Sequence, residues 1–184
     1  MASARRIAVV GTSGSGKSTL SRRIGAALHL PVIELDAINW QPGWRGLNEY
    51  DPAEFVRRVA VEIERDSWIT DGNYSGVRPL ILARATDVVW LDYARSLVMA
   101  RVIRRSFSRA ITGRELWPGT GNVERFRDWL SPDHPILWAW STHARRQRDY
   151  AVMMAALPAT MTVHHLRIPR EADALVRALA AATR

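Results

Sequence analysis

The sequence predicts a single α/β domain: a five-stranded parallel sheet with helices on both faces. Three observations carry that reading. Short apolar runs alternate with helically spaced patterns along the chain. The first run feeds into Gly11-Thr12-Ser13-Gly14-Ser15-Gly16-Lys17-Ser18, the G-x-x-x-x-G-K-S spacing of a phosphate-binding P-loop. Lys17 is also the only lysine among 26 basic residues, the other 25 being arginine. An ammonium is a compact charge that fits between two phosphates, whereas a planar guanidinium is too wide for that slot.

The elements follow in order. Arg6-Ile7-Ala8-Val9-Val10 reads as a buried parallel strand. Beyond the glycine-rich turn, Leu20, Ile24, Ala27 and Leu28 fall at helical spacing, so a helix N-terminus is aimed at the bound anion. Val32 to Leu35 is the second strand, entered through Pro31. Asp51-Pro52-Ala53-Glu54 opens a helix with aspartate as N-cap, proline at N1 and glutamate at N3. Its buried stripe is Phe55, Val56, Val59, Ala60 and Ile63. Ser67 to Thr70 is the third strand, ending at Asp71-Gly72, and Asp87 to Leu91 is the fourth.

A helix from about Arg95 to Arg109 comes next, then a loop-like stretch from Thr112 to Gly121 with three glycines and a proline. Ser131-Pro132-Asp133-His134-Pro135 marks a stop and a new start. The helix it opens runs to about Ala156, before Pro158. Thr160 to Leu166 is the fifth strand, and a last helix begins at Pro169.

Composition sets bounds on function. The 184 residues contain no cysteine, which excludes disulfides, thiolate metal sites and a cysteine nucleophile. Arg5-Arg6 precedes an apolar run that stops at Gly11, too short for an export signal, and no stretch approaches a membrane span. A soluble, cytoplasmic protein is expected. The net charge of +8 fits nucleic-acid contact, a solvated basic surface, or arginines gathered around a phosphorylated substrate. Ten of the 25 arginines lie between Arg101 and Arg148, and none forms a basic tail.

Ligands of open α/β sheets bind beyond the carboxyl ends of the strands. Asp71 falls at such an end, where a carboxylate holds a Mg²⁺-bound water beside Ser18, or serves only a D-G turn. Asp36 lies at the end of the second strand, placed to accept a proton from an attacking hydroxyl, to grip the substrate, or to cap a turn. Asp92 reads as the N-cap of the following helix.

Arg101, Arg105 and Arg109 share a helix face, with Arg104 in the same arc. Such a row neutralises a transferring phosphoryl group, or it is a solvated face. Arg145, Arg146 and Arg148 are weaker candidates of the same kind. Trp40 and Trp44 flank Gln41-Pro42-Gly43 and either pack in the core or wall an acceptor pocket. His164 and His165 point to opposite faces of a strand and make a poor joint metal site.

Taken together, the P-loop, Glu34-Leu35-Asp36-Ala37-Ile38-Asn39-Trp40, Ile69-Thr70-Asp71-Gly72-Asn73-Tyr74, Val89-Trp90-Leu91-Asp92-Tyr93 and Arg101-Val102-Ile103-Arg104-Arg105 resemble the adenylate-kinase-like P-loop proteins often labelled topology-modulation proteins. The resemblance runs from Ile7 to about Tyr150. It implies the nucleoside-monophosphate-kinase version of the three-layer P-loop NTPase fold, with sheet order 2-3-1-4-5. It also implies an acceptor-binding segment at about 37–66 and a lid at about 105–124. Shikimate-kinase-like enzymes are cousins, and Asp36 falls where their substrate-binding aspartate falls.

Two departures matter. The F-P-R that follows D-G in adenylate kinases is replaced by Asn73-Tyr74-Ser75, leaving Arg78 as the nearest arginine. The carboxylate-binding arrangement of a shikimate kinase is also missing from the sequence.

The sequence therefore leads to an ATP- and Mg²⁺-dependent phosphotransferase acting on a small molecule. Gly11, Thr12, Ser13, Gly14, Ser15, Gly16, Lys17, Ser18 and Thr19 would hold the nucleotide, with Ser18 and Asp71 on the metal. Asp36, Trp40, Trp44 and Arg78 would meet the acceptor; Lys17, Asp36, Arg101 and Arg105 would carry the chemistry. The rivals are an ATP-binding regulator or ATPase contacting nucleic acid through arginines, and a polynucleotide 5′-hydroxyl kinase. No helix-turn-helix, RNP or zinc-finger signature accompanies them.

Overall fold

A computed structural model describes residues 4–131 and 134–182. In chain order it contains β1 (Arg6–Gly11), α1 (Lys17–Leu28), β2 (Val32–Glu34), α2 (Leu35–Asn39), a hairpin of β3 (Trp40–Gln41) and β4 (Arg45–Gly46), α3 (Leu47–Tyr50) and α4 (Pro52–Ile63). There follow β5 (Trp68–Asp71), α5 (Arg78–Arg84), β6 (Asp87–Leu91), α6 (Arg95–Thr112), a 3₁₀ turn (Phe126–Leu130), α7 (Pro135–Ala155), β7 (Thr162–Leu166) and α8 (Pro169–Ala181). The main sheet is parallel, in the order β2-β5-β1-β6-β7. Counting only its own strands, that is the expected 2-3-1-4-5.

Alternation along buried strands builds two cores. Ile7 and Val9 of β1 face α1, α6 and α8, joining Leu20, Ile24, Val98, Val102 and Leu175. Ala8 and Val10 face the other way, toward Phe55, Val59, Ile63, Ile81 and Tyr150 of α4, α5 and α7. A strand covered on both faces is apolar along most of its length, and this is why the middles of β1, β5 and β6 read as hydrophobic runs without alternation. The register pairs Val9 with Asp71, Asp71 with Glu34 and Gly11 with Leu91. The P-loop, α2, the turn after Asp71 and the segment after Leu91 therefore leave from one edge.

At α4 the cap is as expected: Asp51 Oδ1 accepts the Glu54 N–H at 3.1 Å. Phe55, Val59 and Ile63 are buried at i, i+4, i+8, but Val56 is exposed because it sits one step round the helix. The second strand stops at Glu34, its last pair with β5, and Leu35 opens α2. The third strand extends through Asp71 because that residue still pairs on both sides. The helix after the fourth strand runs on to Thr112 and ends at left-handed Gly113. The fifth strand starts only at Thr162.

The hairpin, α3, α5 and the 3₁₀ turn were not anticipated. Two-residue strands and helices of four to seven residues are too short to display a period. Pro132 and Asp133 lie outside the described residues. Among those described, no helix is long and apolar enough to cross a membrane.

Candidate active site

The loop between β1 and α1 is shaped by glycine. Gly16 (φ 100°) is the N-cap of α1, and Gly14 (φ 82°) lies so close to α6 that an added Cβ would stand 2.1 Å from Val102 Cγ2. Both positions are left-handed, where a side chain costs about 1–2 kcal/mol. Only Gly16 is fixed by the motif pattern; the need for glycine at 14 comes from α6. Gly11, Thr12 and Ser15 are buried, Ser13 and Ser18 half-buried, and Thr19 is exposed.

Lys17 begins α1, and its Nζ donates to the Thr12 carbonyl at 3.1 Å. Its ammonium is enclosed, so desolvation pushes its pKa below the usual 10.5; Asp71 and Asp36 oppose that shift, and Arg105 and Arg146 add to it.

The carboxylates stand on the same edge. Asp71 is 6% exposed, and burial pushes its carboxyl above 3.8 against the pull of Lys17 and of a hydrogen bond from Ser18. Asp36 lies in the first turn of α2, not at a strand end, and is exposed. The Tyr74 hydroxyl donates to its Oδ1 at 2.6 Å. Asn73 Nδ2 donates to the Gly11 carbonyl at 2.6 Å, and its Oδ1 accepts from the Tyr150 hydroxyl at 2.7 Å. The two residues that replace the F-P of adenylate kinases thus tie Asp36 and the start of the P-loop in place. Their signal in the sequence was the departure itself.

Asp92 does not cap a helix. α6 starts later, with Ala94 as its N-cap and no side-chain bond. Asp92 instead accepts from Gln147 Nε2 at 2.8 Å and lies 2.8 Å from His165 Nε2. His165 stacks on Trp90 at 4.1 Å, and His164 pairs with Asp87 at 3.1 Å, so the two histidines do part to separate partners.

The arginine row of α6 turns toward the loop, while Arg104 is exposed. Arg101 Nη1 donates to the Ser15 carbonyl at 2.8 Å, and its guanidinium lies 5.1 Å from the Tyr93 ring. Burial, followed by repulsion from Arg109, lowers the Arg105 pKa from 12.5 to about 10. Arg109 meets Glu124 at 3.5 Å. From α7, Arg146 also faces this side, pressing on Lys17 and Tyr150, whereas Arg145 and Arg148 are exposed. Only the helical phase separates Arg146 from those two neighbours. Arg78 begins α5 with its guanidinium 5.7 Å from the Tyr150 ring.

Trp40 and Trp44 sit at either side of the β3–β4 turn, their rings 5.7 Å apart at 75°. Neither is a core residue: Trp40 is half-buried and Trp44 is 41% exposed. Trp117, from the loop after α6, completes a cluster of three.

The site suits a polyphosphate and Mg²⁺. The Nε atoms of Arg105 and Arg146, and Ser15 Oγ, are buried without hydrogen-bond partners among the described residues; such donors call for an anion. Mg²⁺ in phosphoryl-transfer sites takes one or two protein oxygens and completes its shell with phosphate and water. Ser18 and Asp71 offer that much, and no cluster of three or more metal-ligating side chains occurs among the described residues.

Comparison with known proteins agrees with this geometry. The chain is 30% identical over 152 residues to a shikimate kinase of Mycobacterium ulcerans, covering 76% of this chain and 78% of that protein. Among solved structures it is similar to shikimate kinase from Acinetobacter baumannii in complex with shikimate, with TM-score 0.58, 18% identity, and 94% and 89% of the two chains covered. It is also similar to a gluconokinase from Sinorhizobium meliloti, with TM-score 0.53, 18% identity, and 98% and 95% covered. At such identities the structures speak for the fold alone. No protein-family model matches the sequence.

Proposed function

The chain belongs to the shikimate-kinase-like family of P-loop kinases, ATP-dependent phosphotransferases of small molecules, and on that premise we propose that it moves the γ-phosphoryl group of ATP to a hydroxyl at Asp36. The observation that carries the proposal is that Asp36 is exposed and held by Tyr74, yet close enough to act on Lys17, Asp71 and Arg105. A candidate base and the phosphate-binding charges stand within electrostatic reach of one another.

The backbone N–H groups of residues 11–19 and the Lys17 ammonium hold the β- and γ-phosphates. Ser18 and Asp71 hold Mg²⁺, which neutralises phosphate charge when bound. The acceptor oxygen forms its bond to the γ-phosphorus as the bond to the β–γ bridging oxygen breaks, and ADP leaves. The proton of the hydroxyl passes to the Asp36 carboxylate. Arg105 faces the transferring group, and Arg101 fixes the P-loop through Ser15 while lending its charge. Trp40, Trp44 and Arg78 line the acceptor side, with residues 37–66 as the acceptor segment and 105–124 as the lid. The arginines that gather on the site favour transfer to a small molecule over a nucleic-acid switch. The resemblance to the topology-modulation group is part of this proposal.

The test is purified protein with γ-labelled ATP and a panel of shikimate, gluconate, nucleosides, nucleotides, other sugars and oligonucleotides. One small acceptor should take up label, and Lys17→Ala should reduce transfer by about 10³-fold or more. Unchanged transfer in that variant, or label only in oligonucleotides, would overturn the reading.

A further inference from the structure

The loop of residues 113–125 is bonded to the acceptor-side hairpin rather than lying free. Asn122 is 1% exposed and spans the hairpin: its Oδ1 accepts the Trp44 N–H at 2.9 Å, and its Nδ2 donates to the Gln41 carbonyl at 3.0 Å. Five residues earlier, Trp117 stacks on Trp40 (6.1 Å, 22°) and meets Trp44 edge-on (5.9 Å, 84°). Trp44 holds a left-handed conformation, φ 59°. That is rare for a bulky residue, and such strain persists only where neighbours impose it. Here the Asn122 carboxamide takes the N–H of the strained residue.

The loop is tied together by its own hydrogen bonds. Leu116 N–H donates to the Asn122 carbonyl at 3.0 Å, and the Thr120 hydroxyl to the Trp117 carbonyl at 2.7 Å. The Glu115 carboxylate accepts backbone N–H groups of Gly121, Gly119 and Thr120. Two residues beyond Asn122, buried Glu124 joins Arg109 at 3.5 Å and His134 Nε2 at 3.0 Å. His134 Nδ1 accepts the Ile136 N–H, so Nε2 carries the proton and donates to Glu124. A bonded path therefore runs from the hairpin through Trp117, Asn122 and Glu124 to Arg109, next to Arg105.

We infer that Asn122 and Trp117 are positioning residues that latch the lid to the acceptor-side hairpin, so that the state of the acceptor site sets where the Arg105–Arg109 row stands over the phosphates. The inference rests on the phosphotransferase reading of the site. It assigns Trp117 of the loop and the strained Trp44 of the hairpin to one coupling device.

The test uses the full ligand-free chain, with Asn122→Ala, Asn122→Asp and Trp117→Ala, and Mg·ADP as probe. Releasing the latch should raise amide exchange at residues 113–125 and 40–46 by about tenfold or more, with β1, β5 and β6 unchanged. The exciton-coupled circular dichroism band that close indoles give should shrink. Mg·ADP affinity should fall by about fivefold in Asn122→Ala, and less in Asn122→Asp, which keeps the acceptor for Trp44 N–H. Trp117→Ala should show the same coupled losses and carries the test if Asn122→Ala does not fold. Unchanged exchange in the loop, or faster exchange with Mg·ADP affinity within about twofold of wild type, would overturn the inference. These readouts need neither acceptor nor turnover, so their failure leaves the transfer proposal standing; failure of wild-type protein to bind Mg·ADP would instead refute that proposal.

Discussion

Replacing Arg105 with methionine should make the ligand-free protein more stable while disabling it. The guanidinium is held at a pKa of about 10 instead of 12.5, first by burial and then by Arg109. At roughly 1.4 kcal/mol per unit, that is on the order of 3 kcal/mol of stability lost by keeping the charge in place. Between pH 10 and 12.5 the folded protein binds fewer protons than the unfolded chain, so stability rises with pH there. Below about pH 10 the cost is fully present, and it applies at neutral pH. Its Nε has no partner among the described residues, so truncation strands no hydrogen bond at that atom.

Methionine keeps the apolar stem and removes the charge. A gain of about 1–3 kcal/mol is expected, the range seen when buried charges give way to apolar residues. Urea unfolding of the ligand-free protein at neutral pH measures it directly. In the same variant, loss of the guanidinium proposed to face the transferring group should lower turnover by about 10²–10³-fold. A less stable variant, or a stabler one with unchanged turnover, would refute the argument that Arg105 is held at a cost for binding phosphate.

Three further outcomes follow from the site. Gly14→Ala forces a Cβ into Val102 at 2.1 Å in a left-handed position, so unfolding free energy should fall by about 2–4 kcal/mol in urea titration. Tyr74→Phe removes the 2.6 Å bond to Asp36; kcat/KM for the acceptor should drop about 10–100-fold, with ATP affinity unchanged by titration calorimetry. Nucleotide phosphate beside Lys17 restores the charged form that burial disfavours. Calorimetry in buffers of different ionisation enthalpy should therefore show proton uptake on binding at alkaline pH below 10.5, and none in Lys17→Ala.

Much of the fold was legible because it rests on local rules. Buried strands read as β-branched runs, the Asp51-Pro52 cap announced α4, and the glycine spacing before Lys17 fixed a strand–turn–helix unit. Short elements escaped because periodicity needs length, and the hairpin at Trp40 to Gly46 is held by side chains 70 and more residues away. The site divided along the same line. Lys17, Ser18 and Asp71 are tied to motif and strand end, so their neighbourhood followed from sequence. Arg146 was one of three candidates that only helix phase could separate, Asn73 and Tyr74 showed only as a departure from the adenylate-kinase pattern, and Trp117 and Asn122 enter through contacts between distant segments.

The sequence by itself determined that this chain folds around a P-loop, that its one lysine lies there, and that acidic residues leave the same edge of a parallel sheet. These follow from backbone conformation and the two-residue repeat of strands, which are local properties. Only the tertiary structure decided which arginines turn inward, what holds Asp36, and that the loop after α6 grips the β3–β4 hairpin. Those depend on helix phase and on the meeting of side chains far apart in the chain, which no local pattern encodes.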